Sequence, residues 1–300
     1  MGRAIVLRHL LQGAIYKNEQ QSIATGVVVK DLHTGRTVFT HNQDTKQFAA
    51  SINKLPVAWL VLQDLRAGRI SMNQQLQWSA DDRRDGYGVY DQAGSPTEAT
   101  LQKVVEDLLN KSGNTAVRIL VNKVLGGSAK VNERWAAERN LSHTALQPLD
   151  ENRFYLGDST PGDALWTIQQ LTDKRDTYSR FMSKAMAGNI FTDYGVRSQL
   201  PDNSDRVLIN KVGILDDVEG NNRHDVGVIY DKDTKRSYAY AFFTTAPFNE
   251  DDTSGTERAE KSLKEMGRYT LRYTTNKDAK LHHVNNYGEY ARQLERRIKY

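Results

Sequence analysis

Apolar and polar positions follow two different rhythms along this chain, and the switches between them predict its elements. Residues 3–20 carry Ile5, Leu7, Leu10, Leu11, Ala14 and Ile15 near helical spacing, which predicts an amphipathic helix. Ser22 to Lys30 is β-branched and predicts a strand. Asp31-Leu32-His33-Thr34-Gly35 supplies a turn and Arg36 to His41 a second strand, so the pair makes a hairpin. From Ser51 to about Asn189 the rhythm is helical. Helices are expected at 51–67, closed by Gly68; at 100–109; at 114–125, closed by Gly126-Gly127; at 162–172; and at 177–186. After Gly195 strands return at 207–215, 225–231 and 237–245, with Asp231-Lys232-Asp233-Thr234 as turn chemistry, and residues 256–273 read as a last helix.

Strands at both chain ends around a helical middle predict one five-stranded antiparallel sheet assembled from the two ends and flanked by the terminal helices. The fold class is α/β with two lobes. Residues 1–47 and 195–275 would form the lobe with the sheet, 48–194 an inserted all-helical lobe, and 276–300 a polar tail open to a helical reading. A cleft between two lobes is where a site is expected.

Composition narrows the classes. The chain has 300 residues, 38% hydrophobic and 26% charged, an ordinary globular balance. Lys plus Arg exceed Asp plus Glu by 41 to 37, and that +4 does not argue for nucleic acid. The one local basic cluster, Arg292, Arg296, Arg297 and Lys299, reads as a solvated helix face. The absence of cysteine excludes disulfides and thiolate chemistry, and leaves the compartment open. No stretch is long enough to span a bilayer, and Ile5-Val6-Leu7 is cut short by Arg8 and His9, so no export segment is visible.

Three short motifs carry candidate chemistry. Ser51-Ile52-Asn53-Lys54 opens an apolar helix and puts Ser51 and Lys54 one turn apart on the same face. The positive field of a helix start and an apolar setting both lower a lysine's pKa, so a neutral Lys54 could accept the Ser51 proton. Ser112-Gly113-Asn114 precedes another helix, and Lys211-Val212-Gly213 lies in a strand. Each has a plain structural reading when taken alone. Ser51 and Ser112 are also helix-capping residues, Lys211 could be a surface lysine, and Gly213 could mark a bulge.

Together, and in this order, the motifs resemble the serine β-lactamase and penicillin-binding-protein superfamily, with its Ser-x-x-Lys, Ser-Asp-Asn and Lys-Thr-Gly. The resemblance runs from about Ser22 to Tyr269. It takes in Gly86-Tyr87-Gly88-Val89-Tyr90 before the second motif and His224-Asp225-Val226-Gly227-Val228-Ile229-Tyr230 after the third. It implies that Ser51 attacks a carbonyl and Lys54 activates it. Ser112, helped by Lys211, would pass a proton to the leaving nitrogen, and Asn114 would hold the substrate amide. The backbone N–H groups of Ser51 and Ile214, the latter next to Gly213, would form the oxyanion hole. It implies no metal or organic cofactor, an extracytoplasmic monomer, and a small-molecule β-lactam or a peptidoglycan stem peptide as substrate.

The chain departs from the family in three places. Val212 replaces a hydroxyl residue that holds the substrate carboxylate, and Arg223 is the candidate to compensate by charge. Gly113 replaces the aspartate common in class A β-lactamases, in a form also seen in D-alanyl-D-alanine carboxypeptidases. The stretch Pro148 to Asp163 lacks a clear Glu-x-x-Leu-Asn, with Phe154 and Tyr155 where Leu and Asn would stand. Glu151 is the best substitute for the deacylating base, unless it and Asp150 are only exposed loop carboxylates. The expectation is a β-lactamase-family hydrolase with slow deacylation. A carboxypeptidase-like peptidoglycan enzyme and a non-hydrolytic penicillin-recognising sensor or scaffold stand as alternatives.

Overall fold

A computed structural model describes residues 3–150, 152–173, 176–201, 204–217, 220–248 and 253–274. Glu151, the tail from 275 onward and its basic cluster lie outside the described residues. The helices are α1 (Arg3–Glu19), α2 (Lys54–Arg66), α3 (Leu101–Asn110), α4 (Asn114–Ile119), α5 (Ser128–Ala136), α6 (Pro161–Leu171), α7 (Thr177–Ala187) and α8 (Ser254–Thr274). The principal strands are β1 (Ala24–Asp31), β2 (Thr37–His41), β3 (Arg206–Asp217), β4 (Gly220–Asp231) and β5 (Ser237–Ala246). They form one antiparallel sheet in the order β2-β1-β5-β4-β3, so β1, from the front of the chain, pairs with β5, from its far end.

The two-residue period of the strands sorts their side chains between two cores. Val27, Val29, Tyr240, Phe242 and Ile229 point to one face and pack with Leu7 and Leu11 of α1 and Leu263 and Met266 of α8. Val28, Ala241, Phe243, Val226 and Val228 point to the other, into a core that continues through α2, α3, α6 and α7. Buried α2, with Trp59, Leu60, Val61 and Leu62 all at most 5% exposed, is the axis of the helical lobe.

Two helices differ from the expectation. The helix expected at 114–125 is α-helical only to Ile119 and continues as a π-helical turn over Leu120–Val124, which Gly126 and Gly127, both at positive φ, end. Helix α5 had no expected counterpart. Its sequence SAKVNERWA has just two apolar residues beyond alanine, Val131 and Trp135, buried four apart, too little periodicity to read.

Candidate active site

Ser51 lies one turn earlier than a helix start. It sits in a 3-10 turn, Ala50–Asn53, that leads into α2, and neither this turn nor α2 takes a side-chain cap. The Ser51 hydroxyl is therefore not spent on capping. It accepts a hydrogen bond from Lys54 Nζ at 3.1 Å. Ala50, before it, adopts a left-handed φ of +46°, a conformation that costs a non-glycine residue on the order of 1 kcal/mol or more and turns the serine into the cleft.

Lys54 is fully buried. Its ammonium donates to Ser112 O (2.5 Å), Ser112 Oγ (3.1 Å) and Asn114 Oδ1 (2.7 Å). Ser112 also takes a left-handed φ, +60°, with its carbonyl and its hydroxyl both on Lys54. Lys211, 2% exposed and so no surface lysine, donates to the same Ser112 Oγ at 2.8 Å. The three motifs thus meet: Ser112 Oγ lies between two buried amines. Burial lowers the Lys54 pKa to about 7, against the opposing charges of Asp91 and Asp107. Lys211 is pushed well below its usual value by burial and by the charge of Lys54.

Gly213 is needed for a close approach, not a bulge. A Cβ there would meet Ile52 Cγ1 at 2.9 Å and Ala49 O at 3.0 Å, because β3 passes directly over the serine turn. β3 is an edge strand of the sheet, and an edge leaves alternate backbone groups unpaired, the resource an oxyanion hole draws on. Ser51 and Ile214 both line a cavity of about 610 Å³ between the lobes. Tyr87 and Phe191, which both line it, meet edge-to-face with ring centroids 5.5 Å apart.

Arg223 does not reach this cavity. In the alternation of β4, Val226 and Val228 face the helical lobe, whereas Arg223, like Asp225 and Ile229, faces α8. Its guanidinium is bound to Asp216 at 2.6 Å and to Asn222 O at 2.9 Å, so the proposed compensation for Val212 is corrected. Glu151 lies outside the described residues. Its neighbour Asp150 is an exposed turn carboxylate, taken up by Asn152 N, Arg153 N and the Arg153 guanidinium. The segment is a short hairpin, Gln147–Pro148 against Phe154–Tyr155. It is tied to the serine turn by Asn53 Nδ2, which donates to Leu156 O and Asp158 O.

Two further residues organise the site. Asp91 accepts from Gly88 N, Asn114 N and Thr115 N at 2.7–3.0 Å, which caps α4 from a distant loop. Gly86 is free of a side chain because a Cβ would meet Asp91 Oδ2 at 2.5 Å. Asp107 accepts from Val89 N, and its Oδ2 fills the space where a Cβ of Gly113 would project. That carboxylate explains the glycine in the second motif. The sequence signal for Asp107 was a carboxylate in the apolar stripe of α3, among Val104, Val105 and Leu108.

The profile of the Beta-lactamase enzyme family matches residues 7–273. No curated protein sequence matches the chain. Among solved structures, a β-lactamase from Burkholderia vietnamiensis is similar at 20% identity and a TM-score of 0.73, over 90% of this chain and 97% of that one. The β-lactamase from Sphaerobacter thermophilus is similar at 22% and 0.71, over 87% and 95%. A mutant of PBP-A, solved as its acyl-enzyme complex with penicillin G, is similar at 18% and 0.72, over 88% and 95%. These likenesses establish the fold, and the profile establishes the family. The chain belongs to the Beta-lactamase enzyme family, as a serine β-lactamase-like hydrolase.

Proposed function

We propose that this protein transfers the acyl group of a β-lactam or related amide to Ser51 and releases it slowly. The observation that carries this reading is the hydrogen-bonded chain Ser51 Oγ, Lys54 Nζ, Ser112 Oγ, Lys211 Nζ at 2.8–3.1 Å. A neutral Lys54 takes the Ser51 proton as Oγ bonds to the carbonyl carbon. Ser112 delivers a proton to the nitrogen as the C–N bond breaks, and Lys211 supports that transfer with its own hydrogen bond. Asn114 presents its amide to the substrate, and the N–H groups of Ser51 and Ile214 take the developing oxyanion.

Deacylation needs a base against a water on the far side of the ester. Asp85 is the one carboxylate among the described residues that line the cavity, and it is exposed in the loop whose carbonyl binds Asn114. Asp150 is committed to its own turn. Glu151 is the remaining candidate in that segment. General-base assistance is worth roughly a hundredfold to ten-thousandfold, so its loss leaves an accumulating acyl-enzyme. This favours, as a second reading, a penicillin-recognising protein whose long-lived adduct is the functional state. A carboxypeptidase-like action on stem peptides uses the same groups. Stem peptides belong to the cell envelope, and the family's members act outside the cytoplasm, so the working compartment we propose is extracytoplasmic.

Intact-protein mass followed over time after mixing with penicillin tests the reading. The expected result is a stoichiometric adduct, absent in Ser51→Ala. A chromogenic cephalosporin should give a burst and then slow turnover that Glu151→Gln hardly changes. An adduct on another residue would overturn the nucleophile. Fast turnover without a burst, lost in Glu151→Gln, would make Glu151 an efficient deacylating base.

A further inference from the structure

The cavity has a second charged feature that acyl transfer to Ser51 does not use. Helix α4 brings Asn114, Val117 and Arg118 to the cavity wall at the helical spacings of three and four, so they share one face. Asn114 belongs to the reacting cluster. Arg118 stands one turn further along, about 5–6 Å away at the level of Cβ. It is 8% exposed; its Nε and Nη1 are closed off from solvent and have no hydrogen-bond partner, which leaves Nη2 as the nitrogen that can meet the cavity. Its nearest carboxylate, Asp82 Oδ1, is 3.6 Å from Nε, too far for a hydrogen bond. Asp82 is itself shared, since its Oδ2 accepts from Ser79 N at 3.0 Å and lies 3.9 Å from Lys123 Nζ. A buried guanidinium whose carboxylate partner is loose and shared carries a poorly compensated charge, and an anion beside it offsets that cost. Two more cations line the same cavity, Arg84 and Arg153. Arg84 is turned back onto the carbonyls of Arg83 and Asp81, and Arg153 onto Asp150. Arg118 differs from both in being buried, with an ion pair at 3.6 Å in place of a hydrogen bond.

We infer that Arg118 is an anion-binding subsite, and that the preferred acyl donors carry a carboxylate in their acyl part, one helical turn beyond the amide held by Asn114. The inference rests on the acyl-transfer reading above. Nη2 can donate to one carboxylate oxygen in a charge-assisted hydrogen bond. Phe154 and Leu156 of the facing hairpin, with Val117, offer an apolar wall for the atoms between the amide and that carboxylate.

The test compares benzylpenicillin with its α-carboxybenzyl counterpart, which differs by one carboxylate on the acyl side chain. The rate of Ser51 adduct formation is followed by intact mass. A hydrogen bond between charged groups predicts that the carboxylated compound acylates the wild-type protein at least about tenfold faster at limiting concentration. The preference should shrink as salt rises and fall to about one in Arg118→Gln. Should that variant fail to fold, the wild-type ratio and its salt dependence decide the matter. Equal rates for the two penicillins, at low and high salt, would overturn the inference and leave the acyl-transfer reading standing, as expected if only water meets Arg118. No adduct with either compound would overturn both.

Discussion

At the scale of single residues, the chemistry depends on how burial changes two amines. A lysine at its ordinary pKa is neutral in roughly one molecule in three thousand at pH 7. Burial brings Lys54 to about 7, so near neutrality half of the molecules hold the base ready. Acylation measured in single turnover should therefore rise with pH through about 7 and level off above it. Lys54→Arg should lose about a hundredfold to ten-thousandfold, because a guanidinium stays protonated. A flat profile from pH 5 to 9 would remove Lys54 as the base. Gly113 is the second residue whose identity has a physical cause. Gly113→Ala forces a methyl group onto Asp107 Oδ2 and should cost about 1–3 kcal/mol in urea unfolding. The same change made together with Asp107→Ala should cost less than the sum of the two, because the collision is gone. Strict additivity would mean that Asp107 does not dictate the glycine.

At the scale of elements, β4 carries two buried titrating groups on opposite faces, and they act against one another. Burial lowers His224 from 6.5 to about 4. The folded protein thus refuses a proton that the unfolded chain accepts, and stability is lost as pH falls from about 6.5 towards 4. Burial raises Asp225 from 3.8 to about 6, although Asn210, Val196 N and Tyr240 all donate to it. Here the folded protein holds a proton that the unfolded chain releases, so stability is lost as pH rises from about 4 to 6. Each effect is on the order of 3 kcal/mol, so the wild-type curve should be nearly flat between pH 4 and 6. Urea titrations at several pH values should separate them. Asp225→Asn should lose stability on acidification, and His224→Gln should gain it. An Asp225→Asn curve as flat as the wild type would refute this account.

At the scale of the whole molecule, the sheet, its flanking helices and the three motifs were legible because each rests on short-range pattern: β-branched and aromatic runs in β1 and β5, a long apolar run in α2, period 3.6 in α3, and residues three apart in Ser51 and Lys54. What the sequence hid depends on contacts distant in the chain. Asp91 caps a helix 23 residues later. Arg223 faces away from the cleft because it shares the strand face of Asp225 and Ile229, which packs towards α8, and no local pattern fixes which face that is. The hairpin at 147–155 has two-residue strands, shorter than any alternation can reveal.

The pairing of β1 with β5 has a consequence for how the chain is made. At about 5–20 residues per second, a ribosome needs roughly 10–40 s to travel from the end of β1 to the end of β5. For that interval the β1–β2 hairpin has Val27, Val28 and Val29 without the strand that covers its inner edge, a row of open hydrogen-bonding groups ready for any passing strand. Nascent chains stalled before Ser237 should be cut readily by protease within residues 24–41 and should bind a holdase chaperone. Chains stalled well beyond Thr274, with β5 and α8 clear of the exit tunnel, should resist the same protease. Equal protection at both lengths would mean that the front hairpin is sheltered by something other than its eventual neighbour. If the expected difference is found, the reactive serine exists as a site only after β5 has been made, so a chain terminated before Ser237 is both inactive and prone to aggregate.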